Sequence, residues 1–196
     1  MLMKRVIKAS EVYLVPVCEV GGIQTHSDRF VLSLYDRMVK EGAAEVVFYD
    51  GEINCADDWL RFMRHGGNLL YLVYDGTAEL IGVVWLNTFV GRSANGHFCM
   101  FKSARGRMAK DVPAKIATEL LFQGSMSHQP ALDVIIGAVP AWNKAAQRWI
   151  FEGGFRLIGA VPYGAYHAGD DRSGSMMLFC FTKDQATGRE GQNEGI

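Results

Sequence analysis

Charge of one dominant sign is missing: 20 lysines and arginines face 21 aspartates and glutamates, leaving a net charge of −1. Holding nucleic acid or an anionic membrane through surface charge requires a broad basic face, so neither partner is expected and any basic site must be local. Long apolar runs are missing too, since none approaches the roughly 20 residues that a membrane-spanning helix needs. The N-terminal MLMKRVIKASEVYLVPV carries Glu11 and an alternating Val12–Val17 run, which suits a first strand better than a signal peptide. Cys18, Cys55, Cys99 and Cys180 are far apart and mostly embedded in apolar segments, which points to buried thiols in a reducing cytoplasm rather than disulfides or zinc. The five histidines lack zinc-ligand spacing. There is no P-loop, no G-x-G-x-x-G after a strand and no G-x-S-x-G elbow, which removes the chemistries those motifs support. Internal repeats are absent.

The composition that is present, 49% hydrophobic and 21% charged over 196 residues, is that of a soluble globular chain. At this length about 70% of the unfolded surface can be buried, enough for one core. A single domain is expected over residues 1–183, with a disordered tail over 184–196. Glu11 to Val17 reads as a strand. Ser27 or Asp28 then caps a helix whose apolar stripe is Phe30, Val31, Leu34, Tyr35 and Met38, ended by Gly42. Val46 to Tyr49 is short and apolar, and is left open between a strand and an extended connection. Ala56 to His65 reads as a second helix, with Asp57 and Asp58 in its first turn facing the positive end of the dipole.

Leu69 to Tyr74 and Glu79 to Phe89 read as a hairpin around Asp75 and Gly76. His97 to Phe101 is the fourth strand. Asp111 to Gln123 follows as a helix, with Pro113 in its first turn and Gly124 as terminator. The stretch Leu132 to Val161 carries the strongest pattern. A β-branched strand ends at Pro140, Asn143 caps an amphipathic helix built on Ala145, Ala146, Trp149 and Ile150, and Gly153 and Gly154 stop it before Phe155. Ser175 to Thr182 is the last strand.

This order of elements, with Asn143, Ala146 and the Gly154-Phe155 pair in an N-x-x-A…G-F spacing, resembles the GNAT superfamily of acyl-CoA N-acyltransferases. The resemblance spans about Glu11 to Thr182. It implies an α/β fold with a mixed α+β sheet of about seven strands and four helices, in which the fourth and fifth strands splay apart to admit the pantetheine arm of acetyl-CoA or another acyl-CoA. It also implies that the loop before the third helix holds the pyrophosphate, which suits the unpaired N–H groups and partial positive charge of a helix N-terminus. Here that loop is KSARGRMAK, and Phe101, Lys102, Arg105, Gly106, Arg107, Met108, Ala109 and Lys110 are the expected cofactor-binding residues. Asn143 joins them, as a ligand, as a helix cap, or as both. In the family pattern Ser103 takes the first position, Gly106 the central glycine and Met108 the last small position.

The implied reaction is direct acyl transfer to a primary amine of a small molecule, peptide or protein. His97 is the candidate base, because an imidazole accepts a proton near neutral pH. Many relatives carry a thiolate-protonating Tyr on the fourth helix, at the position that Ile150 takes here. Tyr163 or Tyr166, in the Gly-rich V-P-Y-G-A-Y-H-A-G segment expected as a loop over the acceptor pocket, substitutes for it, or water does. The departures at Met108 and Ile150 leave a second reading, a GNAT-like binding or structural protein without turnover. Exposed strand edges allow a homodimer.

Overall fold

The computed structural model describes residues 6–123 and 131–189. Its sheet has seven strands in the order β1-β4-β5-β6-β7-β9-β8: β1 (Tyr13–Val17), β4 (Leu69–Tyr74), β5 (Leu80–Val90), β6 (Ser93–Met100), β7 (Val134–Pro140), β8 (Arg156–His167) and β9 (Arg172–Thr182). A small pair, β2 (Glu19–Val20) and β3 (Ile23–Gln24), stands apart. Every strand pairing in the large sheet is antiparallel except that of β6 with β7.

Both faces of the sheet are covered. Successive residues of a strand point to opposite sides, so Leu70 and Leu72 pack with Val31, Leu34 and Met38 of α1 (Asp28–Lys40) and Trp59 of α3 (Ala56–Arg64). Tyr71 and Val73 join the opposite layer, with Ile116, Leu120 and Leu121 of α4 (Val112–Phe122). Burying each such side chain stabilises by about 1.5–3 kcal/mol relative to leaving it exposed. Ser27 caps α1, its hydroxyl accepting from the Phe30 N–H. The hairpin turn is held by the buried Asp75, whose carboxylate accepts from the N–H groups of Thr77 and Glu79 and from the Thr77 hydroxyl.

Several expectations are corrected. Val46–Tyr49 is neither strand nor extended connection: α2 (Ala44–Val47) is one helical turn, and Phe48 beyond it packs between Trp59 and Trp85 at ring separations of 5.7 and 6.2 Å. The Gly-rich segment is no loop, because its residues up to His167 belong to β8 and pair with β9 across a bulge between Val161 and Ala165. The tail begins with another helix, α6 (Lys183–Thr187), where Thr182 and Gln185 form a reciprocal capping box; residues 190–196 lie outside the described residues, as does Gly124. With α5 (Lys144–Glu152) there are six α-helices among the described residues, against the four expected. Cys99 and Cys180 are buried, but Cys55 is exposed. Among the described residues no helix is long and apolar enough to cross a membrane.

Candidate active site

Strands β6 and β7 run parallel and pair only through Ser93–Val134, Ala94–Ile135 and Asn95–Ile136. From Gly96 and Gly137 onward they are not paired with each other. Each keeps its other neighbour, β6 pairing with β5 up to Met100 and β7 with β9 up to Pro140. The gap opens into a cavity of about 720 Å³ that runs through the sheet, lined by Gly96, His97 and Phe98 on one side and Gly137, Val139 and Pro140 on the other. A strand edge without its partner presents N–H and C=O groups to whatever extended chain enters.

The cavity is also lined by Arg105, Gly106 and Met108 of the loop before α4, and by Asn143, Ala146 and Trp149 of α5 and its cap. Asn143 is the N-cap of α5, its side-chain oxygen accepting from the Ala146 N–H at 3.1 Å. Gly106 takes the left-handed conformation at φ 72°. Arg105 donates from Nε to the Met100 carbonyl at 3.0 Å, which leaves the outer guanidinium nitrogens for an anion. Arg107 is turned to the Ser103 carbonyl at 2.8 Å and lies 3.9 Å from Glu79, off the cavity wall. Lys102 and Lys110 are exposed and do not line the cavity, nor do Phe101 and Ala109. Phe101 is wholly buried, with the Arg37 guanidinium 3.8 Å above its ring.

Part of the row of amides leading into α4 is occupied. The N–H groups of Ala104 and Arg105 go to the Phe101 carbonyl, that of Arg107 to Ala104, and that of Ala109 to Ile7 at 2.8 Å. Ile7 in turn donates to the Arg107 carbonyl at 2.7 Å, so the N-terminal segment lies along the loop as a parallel bridge to Met108. The loop is also tied to α1. Arg37 bonds Glu41, the Leu80 carbonyl and Ser103, and Glu41 accepts from the Lys102 N–H. Burial pushes the Glu41 carboxyl up, but the bonds from Arg37 and the Lys102 amide, with the charge of Arg105, hold it below the usual range.

Within the lining His97 stacks on Trp85, and its Nε2 lies 2.9 Å from the side-chain oxygen of Asn87. A carbonyl oxygen only accepts, so Nε2 carries the hydrogen and Nδ1 keeps a lone pair. Burial pulls the His97 pKa down to about 4, against a small upward pull from Asp50. The ring is therefore neutral at pH 7. Phe48, Tyr49, Asp50, Glu52 and Phe62 also line the cavity. Burial pushes the Tyr49 hydroxyl up to about 12.

Tyr163 and Tyr166 are not brought to the cavity. Tyr163 is 81% exposed, and the Tyr166 hydroxyl donates to Asp171 at 2.9 Å. Tyr49 is a lining tyrosine that local sequence does not mark. What puts it there is the contact of its carbonyl with the Ala168 N–H at 2.8 Å, across the sheet from the β8–β9 turn. The indole N–H groups of Trp85 and Trp149, both cavity residues, have no hydrogen-bond partner among the described residues. Unpaired buried donors of this kind are uncommon in folded proteins.

No family model and no curated protein sequence matches the chain. Solved structures do. The chain is similar to spermidine N-acetyltransferase from Vibrio cholerae in complex with CoA and spermine, with a TM-score of 0.63 at 17% identity over 91% of this chain and 99% of that one. It is also similar to the Salmonella typhimurium acetyltransferase that modifies the N-terminal serine of ribosomal protein L7/L12, with a TM-score of 0.65 at 12% identity over 88% and 95% of the two chains. The microcin C7 self-immunity acetyltransferase MccE, in complex with acetyl-CoA and AMP, gives 0.63 at 13% identity over 88% and 92%. These likenesses establish the fold: the chain has the mixed α/β fold of GNAT acetyltransferases.

Proposed function

We propose that this protein is a GNAT-superfamily N-acyltransferase that moves an acetyl group from acetyl-CoA to a primary amine by direct attack. The observation that carries the reading is the parting of β6 from β7 after Asn95 and Ile136, beside a cavity that Arg105, Asn143 and His97 all line. The residues fit an acyl-CoA. The unpaired edges of the two strands and the Trp149 N–H suit the amides of a pantetheine arm, and Arg105 with Gly106 suits the diphosphate.

The amine enters beside His97, its lone pair attacks the thioester carbon, the C–S bond breaks and the thiolate takes a proton. With Nδ1 free and a pKa of about 4, His97 is a weak base. It serves as the amine nitrogen loses its proton during attack rather than before it, when the nitrogen is far more acidic. Ile150 cannot donate, and Tyr163 and Tyr166 lie off the cavity, so water reprotonates the thiolate.

A fold-only or binding role is favoured by one observation, the engagement of the Ala109 amide by Ile7 where the resemblance implies a phosphate. Thermal unfolding with acetyl-CoA and with free CoA separates the two, since a ligand selective for the folded state raises its stability. The transferase reading expects a rise in Tm with millimolar cofactor and thiol release on adding amines. No rise rejects it. A rise with every amine inert assigns a cofactor-binding role.

A further inference from the structure

The part of the cavity around His97 has a one-sided chemistry. Its wall is apolar and largely aromatic, formed by Phe48, Phe62 and Trp85 with Ile53, and its carboxylates, Asp50 and Glu52, sit together on the α2–α3 connection. The remaining charged lining residue among those described is the cation Arg105, on the loop before α4. Asp50 lies near enough to His97 to act on its charge, so an ammonium drawn to this connection is held beside the imidazole.

Resting on the acyltransferase reading, we infer that the acceptor is a monoamine on an apolar body of about aryl size, with its ammonium at Asp50 and its body against Phe48, Phe62 and Trp85. One ammonium finds carboxylates on the connection, gives its first proton to water there, and loses a second to His97 as the neutral amine attacks. Beyond Asp50 and Glu52 the wall is aromatic and aliphatic carbon, so an ammonium farther along the same chain would be an unpaired charge, which is strongly disfavoured, and cation–π attraction returns only part of that loss. An aryl or branched alkyl body loses no charge solvation and gains from leaving water. A polyamine is thus the poorer acceptor, although the fold is shared with an enzyme crystallised with spermine.

The test titrates phenethylamine, isoamylamine and spermidine into CoA-saturated protein and follows thiol release with acetyl-CoA. Phenethylamine is expected to exceed spermidine in affinity and in kcat/KM by about ten-fold or more, the discrimination a shaped apolar pocket supplies. Phe62→Ala lowers phenethylamine binding and spares acetyl-CoA binding. Since Phe62 also packs in the core, Asp50→Asn on the exposed connection is the second variant: it weakens phenethylamine but not its uncharged analogue phenethyl alcohol. Spermidine binding as tightly as phenethylamine, or better, overturns the inference; its acetylation would leave the transferase reading standing. Selective phenethylamine binding without thiol release supports the inference and counts against the transferase reading instead.

Discussion

His97 and Trp85 are direct partners on neighbouring strands, and their rings stack almost parallel, with centroids 5.0 Å apart and an interplanar angle of 5°. Stacking fixes the imidazole plane, and the 2.9 Å contact with Asn87 fixes its tautomer. A ring held this way between apolar walls resists taking a charge.

Acid sensitivity follows. The folded state keeps His97 neutral down to about pH 4, whereas the unfolded chain protonates it below the ordinary imidazole value of 6.5. Between those values the unfolded state binds the extra proton, so stability falls as pH falls, by up to about 3 kcal/mol from this group. Chemical denaturation at pH 7 and pH 4.5 checks this. His97→Gln is expected to show a smaller loss between the two pH values than the unchanged protein.

Arg37 ties α1 to the loop before α4 by stacking on Phe101 at 3.8 Å and bonding Glu41 at 2.9 Å and the Leu80 carbonyl at 3.1 Å. Arg37→Ala is expected to cost about 1–3 kcal/mol, the range for charged hydrogen bonds with a cation–π contact. Denaturant titration reads the loss. It grows less as pH falls below the ordinary Glu value of 4.5, because the lowered carboxylate pKa contributes its full stability above that value and loses it as pH falls through the lowered folded pKa.

Gly153 and Gly154 separate two reasons for glycine. A Cβ on Gly153 would stand 2.3 Å from the Pro113 Cβ, so Gly153→Ala pushes α5 off α4 and is expected to cost about 1–3 kcal/mol as overpacking. Gly154 meets nothing within 4 Å but has φ 88°. Gly154→Ala therefore costs backbone strain of about 1 kcal/mol. Thermal unfolding should rank the Gly153 variant lower.

Arg105 is the loop cation that lines the cavity, whereas Arg107 is turned to Ser103 and Glu79. Arg105→Glu is expected to weaken CoA by about ten-fold, as loss of a charge-assisted bond does, and to leave a phosphate-free pantetheine fragment unchanged. Arg107→Glu should change CoA affinity less. Calorimetry on both ligands reads the difference, and equal losses for the two ligands would remove the phosphate assignment.

What the sequence made legible was what neighbours along the chain decide. Asn143 caps α5 through a bond three residues ahead, and Asp75 closes its hairpin within four residues, so both patterns are visible locally. Phe48 is different, because its turn of helix is held by Trp59 and Trp85, which come from elsewhere in the chain. The glycines and proline between Val161 and Gly169 read as a loop, but their partner is β9, and a bulge absorbs Pro162. No local signal could place Ile7 beside Met108 or Tyr49 on the cavity wall, since both positions arise from contacts about a hundred residues away.

The seam between β6 and β7 has a mechanical corollary. Three rungs join the two halves of the sheet, and beyond them the two strand edges stand apart like the jaws of a clothes peg. Any slender molecule that bonds to both jaws acts as a splint. Amide hydrogens of residues 96–100 and 137–139 that face the gap should then exchange quickly with solvent in the empty protein and slow once it is filled.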